Sequence, residues 1–160
     1  MQSSILRRTV FFLSLGTAFG LTLAPARADG PLQFHTLTPC RLVDTRNPVG
    51  PSGGPSFQDN QTRTFQVQSL CGVPVGAKAV AVYVTGVGAT GSGYLTLFQT
   101  GVAKPAVANL NFAKRDSAVG NGVVVALADQ ATNPLDLSVF ARVAPTGAVH
   151  MVLDVSGYFD

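Results

Sequence analysis

Apolar and polar residues alternate with a period of two in short runs along most of this sequence, and turn residues separate the runs. Leu135, Leu137, Val139, Ala141 and Val143 oppose Asp136, Ser138, Phe140 and Arg142. After Pro145-Thr146-Gly147, the residues Val149, Met151, Leu153 and Val155 share one face. Strand side chains point alternately to two faces, so such runs read as half-buried strands. Phe34–Thr38, Cys40–Arg46, Thr62–Gln68, Tyr94–Gln99 and Ala106–Phe112 read the same way. In Thr62–Gln68, Arg63, Phe65 and Val67 share a face. Ala77–Val87 and Val119–Leu127 are apolar almost throughout, and the first is expected to be buried on both faces. Tyr83, inside that run, is expected in the core. About nine strands and no helical pattern predict an all-β fold: a two-sheet antiparallel sandwich of immunoglobulin-like or jelly-roll type. Composition agrees. Glu is absent and Lys scarce, so little is left to cover helix surfaces, whereas Val and Thr suit pleated ones.

The first residues read as a targeting segment. Arg7 and Arg8 precede an apolar stretch from Thr9 to Leu23, and Ala26-Arg27-Ala28 is a small-x-small cleavage site. The expectation is a signal peptide over 1–28 and one domain over 29–160. The apolar stretch is shorter than the roughly 20 residues of a spanning helix, and Pro25 breaks it. An outer-membrane barrel is disfavoured because most runs fall short of the roughly 9–11 residues such strands need. Charge follows from the same reading. Arg7, Arg8 and Arg27 account for the whole net charge of +3, and without them eight basic residues face eight acidic ones. A neutral exported chain gives no reason to expect nucleic acid or an anionic membrane as partner, and it favours self-association.

Cys40 and Cys71 are an even pair in a chain read as secreted, so a disulfide is expected. They lack the CxxC spacing or neighbouring His of a metal site. If Cys40–Arg46 paired with Thr62–Gln68 across the loop Asn47–Asn60, the bridge would staple the open end of that hairpin.

Two motifs bracket the domain. Thr38-Pro39-Cys40-Arg41-Leu42-Val43-Asp44-Thr45-Arg46 opens it and Leu153-Asp154-Val155-Ser156-Gly157-Tyr158-Phe159 closes it. Cys71-Gly72-Val73-Pro74 and Leu110-Asn111-Phe112 lie between. Together they resemble a domain that recurs in exported bacterial proteins, sometimes as a tail on larger surface or hydrolytic proteins. The resemblance implies a β-sandwich accessory domain and carries no functional residue with it.

Residues able to do chemistry are few. Asp44 sits between Arg41 and Arg46; strand parity puts Arg46 on its face and Arg41 on the other. These three, with Asp154, read as structural ion pairs rather than an anion site. His150 and Asp154 share a face of the last strand, but too far apart along it for a direct bond and with no Ser in a nucleophile-elbow context. Metal ligation would fall to loop residues Asp59-Asn60 or Asp129 with Gln130, and neither pair has a binding-loop pattern. No cofactor is implied. Without Trp, glycan binding would fall to exposed rings at Tyr94, Phe98 and Tyr158. Phe140 is anomalous, standing on the polar face between Ser138 and Arg142. It marks either a binding or assembly surface or the inner face of the second sheet. The loop Asn47–Asn60 is long enough to be a recognition element or a mobile tip.

The expectation is a non-catalytic secreted or cell-surface module for adhesion, matrix or surface assembly, associating with itself as an oligomer or filament. Its alternative is a carbohydrate-binding module for a surface glycan, and a secreted hydrolase ranks below both.

Overall fold

A computed structural model describes residues 30–160; the expected signal peptide and cleavage site lie outside the described residues. Nine strands and no helix occur among these residues. They are β1 (Phe34–Asp44), β2 (Phe57–Gln58), β3 (Gln61–Phe65), β4 (Ala79–Val87), β5 (Gly93–Gln99), β6 (Leu110–Phe112), β7 (Ala118–Ala126), β8 (Leu137–Val143) and β9 (Ala148–Phe159).

One sheet has the order β1-β9-β4-β7, with β2 also paired to β9, and the other has the order β3-β8-β5-β6. Every strand pair is antiparallel. Leaving β2 aside, the first strand pairs with the last, the second with the seventh, the third with the sixth and the fourth with the fifth. That is one long antiparallel ribbon rolled into two layers, the jelly-roll arrangement. Of the two sandwich types the alternation allowed, the chain adopts this one.

The core lies between the layers. Val149, Met151, Leu153 and Val155 of β9 face Leu137, Val139, Ala141 and Val143 of β8, and all eight are fully buried. Their strict alternation made them legible in advance. β4 differs from expectation. Val80, Val82 and Val84 point inward, but Tyr83 is 52% exposed on the outer face. An antiparallel sheet can leave one face to water, so an unbroken apolar run need not be covered twice.

The expected hairpin does not form. β1 pairs with β9, and β3 pairs with β8 in the other sheet. The Cys40–Cys71 disulfide therefore joins β1 to the connection that runs from β3 to β4. The first two expected strands are one, β1, which carries register shifts between Thr36 and Cys40 and between Arg41 and Val43. Pro39, which separates the two expected strands, sits in the first irregularity, where a missing N–H is tolerated.

The loop Asn47–Asn60 is anchored rather than free. It contributes β2, and Phe57 within it is fully buried. Arg63 donates to the carbonyls of Pro55 at 2.7 Å and Gly53 at 2.6 Å, and its guanidinium lies over Phe57 and Phe65. The loop is thus clamped from β3, and its aromatic ring fills the core.

Candidate binding surfaces

The ionic residues of the opening and closing motifs converge. Arg41 donates to Asp154 twice, at 2.9 and 3.2 Å, and reaches Asp44 at 3.4 Å. Arg46 grips Asp44 at 2.8 and 2.6 Å, and its own N–H also donates to that carboxylate at 3.1 Å. Parity alone put Arg41 on the opposite face from Asp44. The shift between Arg41 and Val43 inserts one residue and turns Arg41 to the same side. The hydrogen bonds from Arg46, then its charge and that of Arg41, overcome burial and lower the Asp44 pKa to about 2. Asp44 is buried and each of its oxygens is engaged, so the network binds β1 to β9 and leaves no free nucleophile or base.

His150 does not reach Asp154. Its Nδ1 meets the carbonyl oxygen and the hydroxyl of Thr45, at 2.9 and 3.2 Å, and the same hydroxyl accepts the Met151 N–H. His35 meets Asp160 at 2.9 Å and stacks on Tyr158. Asp59 accepts the Val143 N–H, and Asn60 accepts from Arg142. Asp129 accepts the Ala131 N–H, while Gln130 donates to the Gln68 carbonyl. Among the described residues no three His, Cys, Asp or Glu side chains converge as a metal site would require.

The four ring candidates separate. Tyr94 on β5 and Phe140 on β8 meet on the outer face of the four-stranded sheet, their centroids 6.2 Å apart. Lys104 brings its ammonium to 4.7 Å from the centre of the Phe140 ring, a cation–π contact. An open cleft of about 410 Å³ runs beside them, lined by Tyr94, Lys104, Val107 and Asn111 among others. The connection carrying Lys104 is strapped to β5: Thr96 donates to the Val107 carbonyl at 2.6 Å, and Asn109 accepts the Leu97 N–H at 2.7 Å. Phe98 lies on the same strand but is buried, so it is no exposed ring. Tyr158 is not one either. The register shift at Ser156 carries it to the side of the core, opposite Val80. Phe140 is anomalous because it belongs to this outer surface, not to an inner face.

A second surface was missed from the sequence. On the outer face of β4 and β7, Tyr83 is 52% and Val124 62% exposed. The ring of Tyr83 covers Gly120, where a Cβ would overlap it. Ala81, Thr85, Val87, Ala118, Gly122 and Ala126 complete this face, which has no charged side chain. Its signal in the sequence was nine residues without charge or proline, from Ala118 to Ala126, which also fit a buried strand.

No family model and no curated protein matches the chain. Two solved structures of the Tobacco streak virus coat protein, one described as the coat protein dimer, are similar to it. Each is 12% identical, covering 81% of this chain and 89% of that one at a TM-score of 0.38.

Proposed function

We propose that the protein is a non-catalytic, exported β-sandwich module that works through its surfaces, in adhesion or in surface or matrix assembly. The uncharged outer face of β4 and β7 carries this reading. Tyr83 and Val124 line one contiguous stretch of this face, and a contiguous apolar patch, unlike a single exposed residue, is a mark of interaction surfaces. The ionisable residues of the two end motifs support it, because they are spent on holding β1 to β9. The disulfide suits an oxidising compartment, and the resemblance to exported bacterial accessory domains points the same way. Displaying the protein on cells that lack it tests the reading. Cells should clump or adhere to a surface, and Tyr83→Ser with Val124→Ser should reduce this. Display without any attachment would overturn it.

A second reading is a surface glycan bound at Tyr94. Ring, ammonium and amide (Tyr94, Lys104 and Asn111) line one cleft, the mixture that sugar recognition uses. A glycan array probed with the wild type and Tyr94→Ala separates the two readings.

A further inference from the structure

We propose that two copies of this chain associate by pairing β7 with β7, antiparallel and centred on Gly122. The proposal rests on the assembly reading above and names its partner.

Four sheet edges are present among the described residues. Exposed edges invite pairing, and proteins usually blunt them with charge, proline, bulges or shortness. β1 has two register shifts, Pro39 and Arg41. β3 is five residues long and β6 is three. β7 has none of these defences. It runs for nine residues without charge or proline. Its backbone pairs with β4 on one side, and on the other no backbone partner occurs among the described residues.

The register follows from the pleat. Residues that face each other across an antiparallel pair point to the same side of the sheet. Centring on Gly122 satisfies this and overlaps the whole strand. Gly120 of each copy then faces Val124 of the other. Since Tyr83 covers Gly120, Val124 of the second copy arrives beside that ring. Two-fold symmetry makes this lateral contact twice and joins the two outer faces into one continuous apolar surface. The ends agree in charge. Lys114 and Arg115 precede β7 and Asp129 follows it, so antiparallel pairing carries opposite charges towards each other. With Asp116, also in the leading turn, that end carries a net charge of +1 against the −1 of Asp129.

Cysteine cross-linking reads the register directly. A residue on the two-fold axis faces its own copy at about 4.5–5.5 Å between Cα atoms, within disulfide range. A Cβ at Gly122 meets no neighbouring atom within 4 Å, so Gly122→Cys is accommodated. The purified Gly122→Cys protein should form a covalent dimer on mild oxidation. Val124→Cys should not couple to itself, but should couple to Gly120→Cys when the two are mixed. In sedimentation, the wild type should be dimeric and Val124→Lys should weaken association at least about tenfold, with an unchanged circular-dichroism spectrum. A wild type that stays monomeric at high concentration overturns the proposal, as does Val124→Cys self-coupling as readily as Gly122→Cys. Adhesion by a strictly monomeric protein would overturn the dimer and leave the assembly reading standing. A dimer without adhesion would do the reverse.

Discussion

Asp136 holds Gln68: its carboxylate accepts the Gln68 N–H at 2.9 Å and the neighbouring Val67 N–H at 2.8 Å, and Asp136 is wholly buried. The Gln68 side chain passes the connection on, donating to the Ala128 carbonyl and accepting the Gly76 N–H. Asp136 thereby joins the segments that leave β3 and β7 to the start of β8. Asp136→Ala would strand two buried donors and is expected to cost roughly 2–4 kcal/mol in urea unfolding. Asp136→Asn, which keeps one acceptor, should cost less. Burial outweighs the hydrogen bonds and raises this group's pKa. Its contribution to stability is therefore fully present below the unfolded value and declines as pH rises through the folded one.

Asp44 gives the opposite sign. Its pKa is depressed to about 2, chiefly by the hydrogen bonds of Arg46. The stability it contributes is complete above the ordinary carboxylate value and is lost as pH falls towards about 2. Asp44→Asn should flatten that acid limb in denaturant titrations across the range. Arg41→Gln should change it less, because Arg41 touches Asp44 only at 3.4 Å and is half exposed.

The disulfide spans 31 residues and ties β1 to the connection between β3 and β4. Cys40→Ser with Cys71→Ser should lower stability by about 3–4 kcal/mol, as expected for a loop of this length. Guanidinium unfolding of the wild type with and without a reductant should show the same difference.

Phe57→Ala should destabilise by roughly 3–5 kcal/mol, since it empties a fully buried aromatic site under the Arg63 clamp. Tyr94→Ala, on an outer face, should change thermal stability little. It should remove any glycan signal if that cleft binds sugar. Melting curves and array data on the same preparations check both.

The all-β layering was written in the alternation of β8 and β9, because a pleated strand sorts its side chains by parity and the apolar set of each strand fills the core. The disulfide was equally legible, since an even pair of cysteines without metal-site spacing leaves little else. Parity failed where the backbone breaks it. The shifts at Arg41 and Ser156 re-aim Arg41 and Tyr158, and a local pattern contains no mark of an inserted residue. Strand partners were hidden too. Each run is compatible with any neighbour, and only the rolled ribbon decides that β1 meets β9 while β3 crosses to β8. The same holds for Tyr83 and Val124. An uncharged apolar strand reads identically whether a second layer covers it or water does, and the position of β7 at the sheet edge is a property of the assembled layers, set by which strands are neighbours in space rather than in sequence.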